Sequence, residues 1–144
     1  MEGRLSSRAL VGEAERLATT TASSLKPPFD VESLFEAARR GDALGRAVVA
    51  FAARATAVCV AGLTTVVDLE LVLLGGGIGD NGGDLLLPEV RVATAQLVPV
   101  PPEIRCAALG DRAVDVGAVG VGVELAREAV VRRLVGGETV AAKR

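Results

Sequence analysis

The stretch Leu73-Leu74-Gly75-Gly76-Gly77-Ile78-Gly79-Asp80-Asn81-Gly82-Gly83-Asp84 is where this sequence comes closest to chemistry. Glycines directly after an apolar run let backbone approach a ligand without a Cβ in the way. Open α/β sheets bind ligands at the C-terminal ends of their strands. Gly77, Gly79 and Gly82 satisfy the G-x-G-x-x-G spacing of a dinucleotide fingerprint. Two features oppose that reading. Asp84 falls at the expected helix start, where a pyrophosphate wants positive potential, and the acid after the next strand, Asp111, lies farther on than the usual distance. A P-loop is excluded because no Lys-Ser/Thr follows the glycines. A tight turn that needs positive φ remains as the purely structural account.

Other chemistries are limited by residue type. The chain has no His, which removes Ser-His-Asp triads, Cys-His pairs and imidazole zinc sites together. Its two Cys, Cys59 and Cys106, are too few for a structural zinc site or a disulfide framework. Both fall in apolar segments and are expected to be buried rather than reactive. A formal charge of −2 argues against nucleic acid or an anionic membrane as the main partner. The start, Met1-Glu2-Gly3-Arg4, lacks the apolar core of a signal peptide. The longest uncharged apolar run, Ala55 to Val67, is shorter than the roughly 20 residues a spanning helix needs. The expectation is a soluble, cytoplasmic chain.

The 144 residues, 50% hydrophobic and 24% charged, fit one ordinary domain with a useful core. Helix-forming residues run from about Leu5 to Leu17, and hydroxyl residues from Thr19 to Ser24 then predict a loop. After Pro27-Pro28, Asp30 is a good N-cap, with Val31, Leu34, Phe35 and Ala38 on one helical face. Gly41 stops that helix and Asp42 caps the next. The second helix carries Leu44, Ala47, Val48, Phe51, Ala55, Val58 and Leu63 on one stripe, which predicts a buried packing helix rather than a DNA reader.

Beyond Asp68 the pattern becomes α/β. Glu70 to Leu74 is a short apolar run of the kind that makes a buried parallel strand. A helix from about Leu85 to Val98, capped by Asp84 with Pro88 in its first turn, leads through Pro99 to Pro102 to a second strand, Glu103 to Leu109. Together these make one βαβ unit with several packing helices. A last helix runs from about Asp115 to Val135, with Ala118, Val121, Leu125 and Ala129 along one side. It carries an i,i+4 pair of Glu128 with Arg132 and stops at Gly136-Gly137. That leaves 1–137 as the folded part and 138–144 as a loose tail. Two strands are too few to cover so many apolar helices, so part of the sheet is expected to lie outside this chain.

The run Asp68 to Ile78 resembles the nucleotide-contacting strand and turn of the ROK family of sugar kinases and repressors. Val31 to Asp42 is similar to the helix before that family's long packing helix. Ala107-Ala108-Leu109-Gly110-Asp111 with Gly117-Ala118 resembles its last strand and final helix. Met1-Glu2 falls where the family has Cys-x-Glu, with the Cys replaced. The ordered set covers roughly residues 1 to 135.

The resemblance implies an actin-like ATPase (ribonuclease H-like) fold, here partial. It implies that Gly75, Gly76 and Gly77 lie against the adenosine of ATP, and that Glu2 contacts sugar hydroxyls. A carboxylate suits the second task because it accepts two hydroxyl protons at once; an exposed terminal acid is the plain alternative. The Asp-x-Gly-x-Thr phosphate loop, the catalytic base Asp, the Glu-x-Gly-His motif and the zinc ligands have no counterpart here. The chain therefore looks like the C-terminal half of a glucokinase-like kinase of hexoses, from a truncated gene, a split frame or a late start. It is expected to be inactive alone, since phosphoryl transfer needs a base and a phosphate cradle. ATP with Mg is the family's cofactor set, and a homodimer or association through an exposed sheet edge is the expected assembly. The alternative is the sugar-sensing portion of a repressor without its DNA-binding domain.

Overall fold

The computed structural model describes residues 6–141. Its elements are α1 (Ser7–Ala18), α2 (Val31–Arg39), α3 (Ala43–Val67), β1 (Leu71–Leu74), α4 (Gly76–Ala95), β2 (Glu103–Cys106) and α5 (Ala113–Ala141). A single 3-10 turn at Gly110–Arg112 precedes α5. The chain falls into two compact units, Met1–Gly110 and Asp111–Arg144.

The junction between α2 and α3 is set by local chemistry. Asp30 accepts from the Ser33 N–H at 2.8 Å and starts α2. At its other end Gly41 adopts φ +87°, its N–H donating to the Ala38 carbonyl and that of Asp42 to Ala37. This pair of bonds is the Schellman stop, and it needs a residue free of the left-handed penalty. Asp42 immediately caps α3 through the N–H groups of Leu44 (2.9 Å) and Gly45 (3.1 Å). The same carboxylate also accepts from the Ser23 hydroxyl and the Ser24 N–H, so it ties the preceding loop to the α3 start.

Partial burial pushes the Asp42 carboxyl up, but the N–H groups of Ser24, Gly45 and Leu44 and the Ser23 hydroxyl outweigh it and hold it below its ordinary value. A carboxyl lowered in the folded state stabilises above its unfolded pKa and loses that contribution as pH falls through the folded one. Asp42→Ala is expected to cost about 1–2 kcal/mol at pH 7, as helix-cap losses do. The difference between the two proteins should narrow as pH falls below the ordinary aspartate value of roughly 4 and on through the lowered folded one. Urea unfolding of both at pH 7 and pH 3 checks this. A gap of the same size at both values would mean that the charge is not what Asp42 contributes.

The core lies among α1, α2, α3, α4 and one face of the sheet, with Leu10, Leu34, Phe35, Leu44, Val48, Val90 and Ile104 fully buried. α3 is long and apolar enough to cross a membrane by length and composition. Its inner face, Leu44, Gly45, Val48, Val49, Ala52, Ala53, Thr56, Ala57 and Val60, packs against the other helices. That face differs from the expected stripe. Leu44 and Val48 belong to it, but Val58 and Leu63 are 56% and 53% exposed. Small residues rather than the largest ones form the contact, because they let helix backbones approach.

β1 and β2 are parallel and in register from Leu71↔Glu103 to Leu74↔Cys106, joined by α4 as a βαβ unit. Glu103 N–H donates to the Glu70 carbonyl and Ala107 N–H to Leu74. By the alternation of a strand, Leu71 and Leu73 aim their backbone groups at the outer border of β1, and Ile104 and Cys106 at that of β2. Arg91 reaches from α4 to that second border, its Nε and Nη2 donating to the Ile104 carbonyl at 3.0 and 2.6 Å. Val72, Leu74 and Ile104 face the core, whereas Leu71 and Leu73 are 45% and 59% exposed. Within residues 6–110 the helices cover the sheet on one face, so the strand is buried on that face rather than on both.

Several boundaries differ from expectation. β2 ends at Cys106 rather than Leu109, and Cys106 is exposed while Cys59 is half-buried, so neither is a core thiol. α5 continues through Gly136-Gly137 to Ala141, which makes most of the supposed tail helical. Glu128 and Arg132 do pair on α5, at 3.9 Å.

Candidate functional site

The largest departure from the sequence reading concerns α4. The helix starts at Gly76, eight residues before the expected cap, and Pro88 sits in its interior rather than its first turn. At Gly79, Gly82 and Gly83 neighbouring structure occupies the space a side chain would need, so glycine is kept within the helix. A Cβ on Gly79 would lie 3.1 Å from the Leu74 carbonyl, and one on Gly83 2.7 Å from Cys106 Sγ. At Gly82 it would collide with the Phe35 ring, 2.6 Å from Cζ. Helix propensity loses here to tertiary packing.

Gly75 and Gly76 behave differently. Gly75 is extended, and a Cβ there would make only ordinary contact with Ala107, at 3.4 Å. Gly76 has φ +77° and nothing within 4 Å of its Cβ position. Both are exposed at the C-terminal end of β1, and Gly77 follows in the first turn of α4. The chain thus turns from strand to helix through one left-handed residue that presents open backbone.

The electrostatics of this turn follow from what flanks it. α4 has no side-chain cap and no acid in its first turn. Its leading N–H groups therefore carry the positive end of the helix dipole with no side-chain cap among the described residues. Asp84, expected to oppose an anion here, lies more than two turns along α4. Arg39 Nε and Nη2 donate to its carboxylate at 2.9 and 2.8 Å, and that fork holds the carboxyl below its usual range. The objection drawn from Asp84 disappears, yet the dinucleotide spacing gains nothing, since Gly79 and Gly82 serve packing.

The structure brings Gly75, Gly76 and Gly77 together in one turn. Glu2 lies outside the described residues. What the sequence reading missed is the pairing of α2 with α4. Phe35 and Arg39 stand i,i+4 on α2, and each meets an α4 residue more than forty positions away. The i,i+4 spacing was visible, but nothing local names the partner.

A family model for the ROK family matches residues 1–123. The bifunctional enzyme NanE/NanK of Brucella melitensis biotype 1 is 36% identical over 92 residues, which cover 64% of this chain and 17% of that relative. A ROK family glucokinase from Streptomyces griseus, solved with glucose and AMPPNP, aligns with a TM-score of 0.68 at 25% identity, covering 77% of this chain and 40% of the other. A ROK family transcriptional regulator, a homologue of the E. coli MLC protein, aligns with a TM-score of 0.62 at 21% identity over 72% of this chain and 28% of the regulator, a likeness of fold alone. The chain spans well under half the length of each. The small parallel sheet with its helices is thus part of an actin-like ATPase fold. With a family match over most of the chain and the strand, turn and helices in the same order, this protein belongs to the ROK family.

Proposed function

We propose that this chain supplies the nucleotide side of a cytoplasmic, ATP-dependent kinase of hexoses, and that these 144 residues do not carry out phosphoryl transfer alone. The observation that carries the reading is the turn itself: an uncapped, acid-free helix start behind the open Gly76, at the end of a parallel strand. Backbone without Cβ accepts the flat face and ribose of an adenosine closely, and the leading N–H groups of α4 favour the attached negative charge. Gly75, Gly76 and Gly77 are the proposed nucleotide contacts, and Glu2 the proposed sugar contact.

ATP would bring the transferable phosphoryl group, with Mg on its phosphates. The residues at the turn fit its nucleoside end. They provide neither a carboxylate base nor a phosphate loop, and a Glu-x-Gly-His motif is impossible in a chain without His. Self-association as a homodimer, or addition of another chain to the border of β1, is the assembly proposed with this reading.

Calorimetric titration of the purified chain with AMPPNP tests it. Binding is expected, and Gly76→Val should weaken it by about tenfold, equivalent to ~1.4 kcal/mol. The left-handed backbone is unfavourable for valine, and its side chain enters the open space. Equal affinity of the two proteins would refute the assignment of the turn. Glucose binding with no nucleotide binding would favour the repressor-type sensor instead. A coupled assay with ATP and a hexose panel should show no turnover; measurable turnover sinks the claim that the chain is inactive alone.

A further inference from the structure

We propose that α2 positions the candidate nucleotide turn, through a two-point clamp made by Phe35 on Gly82 and Arg39 on Asp84. The inference rests on the nucleotide reading for its functional consequence, though the clamp itself is defined by contacts alone.

The need for a clamp comes from α4. Pro88 has no N–H, so the carbonyl of Asp84 loses its i→i−4 partner and the helix ladder is interrupted there. Helices bend or hinge most readily at such places. The segment 76–87 is thus not held rigidly by the backbone of the remainder of α4. That remainder is fixed to β2 by the Arg91 fork on Ile104. The glycine-rich half packs on β1 and β2 at Gly79 and Gly83, and its rotation needs a further attachment.

α2 provides it at two points. The Phe35 ring, 1% exposed, lies against Gly82 with no room for a methyl group. One turn on, Arg39 forks onto Asp84 with two parallel bonds at 2.9 and 2.8 Å. The ring contact fixes how near α4 comes to α2. The planar fork fixes the rotation of α4 about its own axis, because two bonds from one guanidinium define a direction as well as a distance. Arg39 also lies 3.7 Å from Glu36 of its own helix. The Arg39 and Asp84 side chains are 37% and 56% exposed, so the pair adds little to global stability. Its value is orientation. Rotating α4 would move the open N–H groups behind Gly76 away from the end of β1.

The test is made on the purified chain with Asp84→Asn, Arg39→Gln and the reversed pair Arg39→Asp with Asp84→Arg. Amide hydrogen exchange is followed at 76–83 and across α3, together with AMPPNP titration. Exchange at 76–83 should rise by about tenfold in each single variant while α3 is unchanged, the pattern of a local opening. AMPPNP affinity should fall by about three- to tenfold, and the reversed pair should restore both readouts at least in part. Unchanged exchange at 76–83 in both single variants overturns the clamp. Faster exchange with unchanged AMPPNP affinity overturns its positioning role. If the unaltered chain binds no AMPPNP, the nucleotide reading fails, and the exchange data still decide whether the clamp exists.

Discussion

Phe35→Ala is expected to lower the unfolding free energy by about 3–5 kcal/mol, the range for removing a fully buried ring. Phe35 is 1% exposed in the cluster that contains Leu34, Leu44, Val48 and Leu86. Truncation removes the apolar area and leaves a void beside Gly82, which has no side chain to fill it. Relaxation is also limited from the other side, where α2 rests on α3. The variant should lose a large share of a typical domain stability of about 5–15 kcal/mol. Urea unfolding followed by circular dichroism at 222 nm reads the change. A loss below about 1 kcal/mol would mean that the ring is not packed as described.

The second large effect is a change of sign between two glycines of one helix. A Cβ on Gly45 would lie 2.6 Å from the Ala38 amide nitrogen and 2.7 Å from the Leu34 carbonyl oxygen. Both are backbone atoms that cannot swing aside, so α2 and α3 must separate. Overpacking of this kind costs about 3 kcal/mol at the upper end of its range, against about 1 kcal/mol gained in helix propensity. Gly45→Ala is thus expected to destabilise by about 2 kcal/mol net. Gly62, on the same helix, has nothing within 4 Å, and Gly62→Ala should stabilise by up to about 1 kcal/mol. Thermal unfolding of the two variants beside the parent checks the pair. Shifts in the same direction would show that propensity, not close helix approach, governs these positions.

The features legible in the sequence were those fixed within a few residues. Asp30, Gly41 and Asp42 bracket α2 and open α3 because caps and stops are made by bonds to the nearest turn. The parallel pairing of β1 and β2 was legible too, from the length of the connection between two short apolar runs. The α3 face was misread because large residues were given the core. The contact with α2 is made where Gly45 lets the backbones close up, and the buried face continues through Ala52, Ala53 and Ala57. The start of α4 was missed for the opposite reason. Five glycines in eight residues look like a loop, and only Leu74, Phe35 and Cys106, brought from other elements, show why they are helical. At the candidate site, the order of strand, turn and helix was visible, but not that Asp84 lies inside α4, paired with Arg39 forty-five positions away.

The unequal borders of the sheet have a topological consequence. On β2 the Arg91 guanidinium already holds the Ile104 carbonyl, so a strand arriving there must displace a charged group from a double hydrogen bond. On β1 the backbone groups of Leu71 and Leu73 meet no such obstacle among the described residues, and their side chains offer apolar surface. Growth of this sheet is therefore directional. A strand added to it is expected beside β1, which would make β1 an interior strand and leave β2 at the margin.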